Sequence, residues 1–292
     1  MNHKVIKTNP GVCRNQLGFT LIELLIGMAI AAIVLAGIYA VLEDLRKSSV
    51  QQVEVSTLQQ NQRGVLAIME RELRLIGMDM QQSNQFNPQF CVKDVRKYAI
   101  TDSAVDANLD GTPSGSPVLR MTLDLNDDRT VNGDETITYA LFDSDGDGLP
   151  PYELGRSTKY TGPDVIAADE LELIAEGIEA ISFAYAFDAD DDGNIDRQVV
   201  VAGEPPSIIW AVDTDNDGRL DSDLGHNLLP APVRPEAIRA VQFWILGRVQ
   251  RPDPSYVDNK SYSVGDQLIQ PAGDEVHFRR WVLSEIIHCR NL

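Results

Sequence analysis

Three stretches of this sequence set aspartate at alternate positions and close with glycine: "DSDGDG" from Asp143, "DADDDG" from Asp188 and "DTDNDG" from Asp213. Each offers carboxylates at loop positions one, three and five: Asp143, Asp145 and Asp147; Asp188, Asp190 and Asp192; Asp213, Asp215 and Asp217. Glycine at position six gives the sharp turn that lets such oxygens converge on calcium. Asp196 and Asp221 stand at position nine of the second and third loops, and Glu153 at position eleven of the first. Position twelve, where a bidentate glutamate usually completes the shell, holds Leu154, Val199 and Leu224. "DANLDG" from Asp106 is a looser copy, and "DLNDDRTVNGDE" has Glu135 at twelve but Arg129 at six. The incomplete ligand set implies weak affinity, about 10⁻⁴–10⁻³ M. Aspartate and glycine also favour hairpin turns for their backbone habits alone. On sequence, calcium loops and acidic turns both stand.

A second chemical feature is a single acid, Glu23, inside an apolar run. Phe19 to Leu42 spans 24 residues, and a helix crosses a bilayer in about 20. A lone carboxylate in hydrocarbon costs roughly 2.5–3.5 kcal/mol even on lenient insertion scales, so it calls for a partner. Lys4, Lys7 and Arg14 precede the run, while Glu43 and Asp44 follow it. The positive-inside rule then puts the N-terminus in the cytoplasm and the body outside. A secretory signal would end its apolar core in a cleavage site. Here Gly18 comes before the core, so cleavage after Gly18 keeps the whole hydrophobic helix.

"GFTLIELLIGMAIAAIVLAG" resembles the type III signal of type IV prepilins and type II secretion pseudopilins, with glycine, phenylalanine and glutamate at the family's spacing. The resemblance implies that prepilin peptidase cuts between Gly18 and Phe19 and N-methylates Phe19. It also implies that Glu23 pairs with the Phe19 amine of a neighbouring subunit, so that the partners are other pilins, met through the N-terminal helix; the alternative is an acid at the membrane interface, tolerated in a first helical turn. The chain would sit first in the inner membrane, with its body in the periplasm, and then in a pilus or pseudopilus at the cell surface. Further on, "LQQNQRGVLAIMERELRLIGMDM" and "RPDPSYVDNKSYSVGD…FRRWVLSEIIHCRNL" resemble PilW-like minor pilins, the former also the J-type pseudopilin.

These features need a scaffold. After Leu42 no proline appears until well past Gly77. Val50, Val53, Leu58, Val65, Met69, Leu73 and Ile76 recur at helical spacing, and Gln51, Gln52, Gln59, Gln60, Gln62, Arg63 and Glu70 suit the wet side. Downstream, "PVLRMTLDL", "ETITYALF", "IEAISFAYAF", "RQVVVA", "SIIWAVD", "AIRAVQFWILGRVQ" and "HFRRWVLSEIIH" read as strands divided by Asp-Gly turns. In "AVQFWILGRV", Val241, Phe243, Ile245 and Val249 share one face and Gln242 and Arg248 the other, the pattern of a half-buried strand. The expected fold is α+β: a long N-terminal helix packed on an antiparallel sheet, as in pilins. Its parts are a leader at 1–18, a membrane or filament-core helix at 19–42, an amphipathic continuation at 43–79 and a β-rich domain at 80–292. Residues 80–117 show no period and read as a loop with short helical pieces.

The 292 residues carry a net charge of −19, and loss of the leader, which holds three bases and no acid, takes it to −22. Such a body does not bind nucleic acid, whose phosphates need a basic face. Beyond Cys13 of the leader, Cys91 and Cys289 could form a disulfide or remain separate buried thiols. Four dispersed histidines and the lack of Gly-x-Ser-x-Gly, Cys-x-x-Cys and His-Glu-x-x-His leave no active site, so the chain is not read as an enzyme. The expected function is a non-catalytic minor pilin, PilW-like, that helps initiate or cap a type IV pilus. A J-type pseudopilin, or an uncleaved membrane-anchored calcium-binding or adhesive ectodomain, are the alternatives.

Overall fold

In the computed structural model the described residues are 20–76, 92–94, 97–98, 116–122, 135–144, 149–158, 171–199, 204–214 and 219–289. They form two compact units, Met1–Gln51 and Gln52–Leu292, with one helix, α1 (Leu21–Leu73), running through the boundary. In the first unit, every large apolar side chain from Leu21 to Leu45 is more than half exposed. The helix is long and apolar enough to cross a membrane. A stripe so bare needs lipid or other helices around it.

The second unit is an antiparallel sheet covered by the later part of α1. Its strands begin with β1 (Val92–Asp94), β2 (Lys97–Tyr98), β3 (Ser116–Pro117), β4 (Leu119–Thr122), β5 (Thr136–Phe142) and β6 (Tyr152–Ser157). Next come β7 (Glu172–Phe187), β8 (Arg197–Gln198), β9 (Ser207–Ile208), β10 (Trp210–Val212), β11 (Leu220–Asp223) and β12 (Leu228–Val233). The last are β13 (Ile238–Arg248), β14 (Tyr262–Val264), β15 (Gln267–Ile269) and β16 (Arg280–His288). Among the described residues the main sheet runs β1-β4-β5-β6-β7-β10-β11-β12, and β13 and β16 extend it from the other edge of β7. The 16-residue β7 is the spine: it pairs β6 through its first half and both β13 and β10 through its second.

Branched and aromatic residues drive these strands, and the sequence places most of them within a few positions. Three expectations are corrected. The described residues within 80–117 lie in β1, β2 and β3, where a loop with short helical pieces was expected; two or three residues per strand are too few to show a period. The strand read over residues 197–202 shrinks to Arg197–Gln198 among the described residues. And β13 is buried on both faces. Val241, Phe243 and Ile245 join the core beneath α1, while Leu246 packs on the β14–β15 hairpin with Tyr262 and Val264, and Arg248 is only 5% exposed.

Two polar contacts pin α1 to this sheet. Gln62, expected on the wet side, is 1% exposed, and its amide donates to the carbonyls of Trp281 (3.0 Å) and Ile245 (3.4 Å). It fits because Gly247 lies below: a Cβ there would stand 2.6 Å from the Gln62 amide and 2.7 Å from Leu58. In its last turn the helix drops Glu72 onto β5 and β6. The Glu72 carboxylate takes the Arg156 guanidinium (2.8 Å) and the Tyr139 hydroxyl, two residues paired across those strands. Burial, and then the facing carboxylate, push the Tyr139 phenol well above its ordinary range. Leu58, Val65, Met69, Leu73 and Ile76 bury the apolar stripe as expected, whereas Val50 and Val53 stay exposed.

Candidate assembly residues and acidic loops

Gly18 and Phe19, the expected cleavage pair, lie outside the described residues. Glu23 sits in the first turn of α1 and folds back on its own chain. Its carboxylate accepts the Thr20 backbone N–H and the Thr20 hydroxyl, each at 2.9 Å, and the Thr20 hydroxyl accepts the Glu23 N–H at 3.3 Å. That is a reciprocal capping box, which satisfies donors a helix otherwise leaves open. Thr-x-x-Glu is the sequence signature of that box, and reading Glu23 as a charge beside the bilayer leaves it out.

The first and third acidic repeats are hairpin loops, between β5 and β6 and between β10 and β11; the second leaves the end of β7. Asp143 is described, and Glu153 bends back to accept the Ser144 N–H at 3.1 Å; Asp145 and Asp147 lie outside the described residues. Asp213 is buried and Asp221 sits in β11, while Asp215 and Asp217 fall outside.

The Asp188 loop is described throughout. Asp188, Asp190 and Asp192 each bring one carboxylate oxygen to within 4.8 Å of the others, and 4.8 Å is twice a calcium–oxygen bond of about 2.4 Å. Asp188 is buried at the base, its oxygens taking the N–H groups of Asp192 (3.1 Å) and Gly193 (3.0 Å). Two residues make the turn with positive φ, Asp191 at 57° and Gly193 at 84°. Asp196, at loop position nine, accepts the Ala189 N–H at 3.1 Å. Arg239 lies 3.6 Å from Asp188 and 3.7 Å from Asp191, so part of the charge is already offset by protein. All-oxygen donors suit a hard cation, and Arg239 limits how tightly one is held.

Cys289 is buried in the core, its N–H donated to Arg239. Burial pushes its thiol up to about 12, against the pull of Arg239. Cys91 lies outside the described residues, and so does the expected pairing.

Sequence reasoning also missed a polar cluster at the far end of β13 and β16. Arg248 and Arg280 face each other across those strands. Arg280 is bound by Glu179 at 2.6 Å, by Glu275 at 3.2 Å and, at 3.7 Å, by the fully buried Asp258. Arg248 reaches Glu275 and the Pro150 carbonyl, with Phe278 4.1 Å beneath its guanidinium. The cluster fastens residues 249–279 to the sheet.

The family model "Prokaryotic N-terminal methylation motif" matches residues 13–39, and "Type IV Pilus-assembly protein W" matches residues 156–291. No curated protein matches as a relative. Among solved structures the chain is similar to a type IV-like pilin from Thermus thermophilus, at 11% identity and a TM-score of 0.38, over 80% of this chain and 97% of that one.

Proposed function

Because this chain belongs to the type IV pilin and minor-pilin family, with the methylation motif at its head and the pilus-assembly region over its second half, we propose that it is a non-catalytic subunit that helps initiate or cap a type IV pilus. The supporting observation is the union of those two regions in one chain, behind a helix that presents its large apolar side chains outward from Leu21 to Leu45. Prepilin peptidase is the processing partner and other pilins are the assembly partners. With 274 residues left after cleavage, the acidic body is too bulky to tile a filament as its repeating subunit. A J-type pseudopilin shares the same helix logic; loss of secretion with normal piliation on deleting the gene would select it.

Processing tests the premise. Mass spectrometry of the membrane-extracted protein is expected to show a chain starting at N-methylated Phe19. Gly18→Ala is expected to slow cleavage and block filament entry while membrane insertion proceeds. An intact Met1 in cells with active prepilin peptidase refutes the reading.

Calcium at the Asp188 loop belongs to the same proposal, supported by the convergence of Asp188, Asp190 and Asp192. At about 1 mM calcium and a Kd of 10⁻⁴ M, binding stabilises the folded state by roughly 1.4 kcal/mol. The full chain in detergent is expected to melt higher in calcium than in chelator, with magnesium less effective. Asp190→Asn with Asp192→Asn is expected to remove that increment. Equal melting in calcium and chelator would leave the loops as turns.

The Cys91–Cys289 bridge is proposed on related grounds. Val92, next to Cys91, begins β1, and β1 neighbours the 3-10 turn Pro235–Ala237, two residues before the Arg239 carbonyl that holds Cys289. Thiol-labelling of the denatured, unreduced mature protein is expected to modify neither cysteine until reductant is added; labelling of both beforehand refutes the bridge.

A further inference from the structure

β8 and β9 form a short arm, with Arg197 opposite Ile208 and Gln198 opposite Ser207, and β9 ends one residue before β10 begins. The Ile209 N–H donates to the Asp196 carbonyl at 3.1 Å and closes the base of the arm. Beside the arm, β11 passes into β12 through a turn that runs from Asp223 to Asn227. Arm and turn belong to the same compact unit and enclose a cleft of about 420 Å³, a size that small ligands occupy.

The turn is organised around Asp223. Its carboxylate accepts the backbone N–H groups of Gly225 (2.8 Å) and Asn227 (2.9 Å) and the Asn227 side-chain amide (3.0 Å). The Gln198 side chain reaches across from the arm and donates to the same carboxylate. Burial pushes the Asp223 carboxyl up, but the bonds from Asn227, Gly225 and Gln198 outweigh it and hold the group below its ordinary value. The turn pays a conformational cost for this arrangement: His226 takes a φ of 61°, where a non-glycine residue is strained. A Cβ at Gly225 would stand 2.9 Å from the Asn227 amide nitrogen, so glycine is needed to seat that amide.

The lining combines two kinds of surface. Val199, 59% exposed, joins Ile208, Leu224 and the half-buried Trp210 as apolar area. Gln198 and Asn227 add planar amides, a group that both donates and accepts. The described residues that line the cleft include one acid, Asp223, and no base, in a chain of net charge −19. Phosphates, sulfates and acidic sugars need a positive field and are disfavoured here. The Asp223 charge is already met by N–H donors, which leaves little for a cation to gain. Extended peptides are held chiefly by backbone ladders, whereas fixed side-chain amides beside an indole suit a ring with hydroxyls at its rim and C–H groups on its faces. We propose that the cleft between the β8–β9 arm and the Asp223–Asn227 turn binds a neutral carbohydrate. Gln198 and Asn227 hydrogen-bond neighbouring hydroxyls, and Trp210 packs against the C–H face of the sugar ring. The site lies wholly in the β-rich unit, so its failure leaves the pilin-subunit reading untouched.

The test uses the full-length chain in a zwitterionic detergent, which carries no sugar headgroup. Maltose, cellobiose, lactose, mannobiose and chitobiose are titrated in turn, followed by tryptophan fluorescence and saturation-transfer NMR. At least one is expected to bind saturably. Trp210→Ala, and separately Gln198→Ala with Asn227→Ala, are expected to weaken that binding by about tenfold or more. Gln198 and Asn227 are exposed, so the paired variant is expected to melt close to the parent even where Trp210→Ala lowers stability. Glucuronate and sialyllactose are expected not to compete. Absence of saturable binding by every disaccharide, binding that survives the paired variant, or tighter binding of the acidic sugars each overturns the proposal. A tetraalanine peptide that binds as tightly as the sugars and is lost in the same variants overturns it too, making the cleft a peptide site.

Discussion

Arg280→Met is expected to be the most destabilising single change in the β-rich unit, by about 3–5 kcal/mol, because it strands buried carboxylates. Arg280 and Asp258 are 1% and 0% exposed, and Glu179 10%. Removing the cation leaves Asp258 with the Tyr262 hydroxyl (2.8 Å) and the Lys260 N–H (3.2 Å) but no positive charge. The Glu275 and Phe278 carbonyls, which now accept from Arg280 at 2.8 and 3.3 Å, lose their donor as well. At roughly 2–4 °C per kcal/mol for a unit of this size, melting should fall by about 6–20 °C. The deficit separates from simple loss of packing by a cycle. Adding Glu179→Gln and Asp258→Asn to Arg280→Met is expected to recover part of the loss, since uncharged partners no longer need the cation. If the triple variant is as unstable as the sum of its parts, the cost lies in volume rather than in stranded charge. Arg280→Lys should fall between, keeping the charge but not the fork that reaches Glu179 and Glu275 at once.

That cluster shows where sequence reading ends. Arg248 reads from the sequence as a polar residue on the wet side of a half-buried strand, and strand alternation offers no hint that 249–279 folds back over it. The cluster's acids Glu179, Asp258 and Glu275 come from three separate segments, so no local spacing brings them together. Gln62 failed for the same reason, since only Gly247 beneath it makes room for a buried amide. By contrast the apolar stripe from Leu58 to Ile76 was legible because its burial repeats with the helical period, and β5, β7 and β13 were legible as strands because branched and aromatic residues run through them. β6 was missed since "YELGRS" has neither a branched run nor clean alternation; it is a strand because Thr138–Phe142 and Glu172–Ile178 flank it.

Glu23→Gln is expected to insert, be cleaved after Gly18 and yet fail to enter filaments. The structure makes this the informative variant rather than Glu23→Val. Glu23 closes a capping box with Thr20, and glutamine serves at that position nearly as well as glutamate. Glu23→Gln therefore keeps the helix start and removes only the charge, whereas Glu23→Val removes both. Magnitudes favour charge as the deciding property. A lost cap costs about 0.5–2 kcal/mol, borne by one frayed turn at the end of a 53-residue helix. An unpaired ammonium or carboxylate in hydrocarbon costs roughly 2.5–3.5 kcal/mol, and two hydrogen bonds from Thr20 leave the net charge of Glu23 in place. Pairing with the Phe19 ammonium of a neighbour would relieve both charges at once, so the incoming subunit is drawn to the position where that pair forms. Assembly scored by chain recovered in sheared filaments should then be low for Glu23→Gln and Glu23→Val alike, while Thr20→Val, which weakens the box and keeps the charge, assembles close to normally. Normal entry of Glu23→Gln with failure of Glu23→Val would reverse the assignment, making Glu23 a helix cap first and a partner for Phe19 not at all.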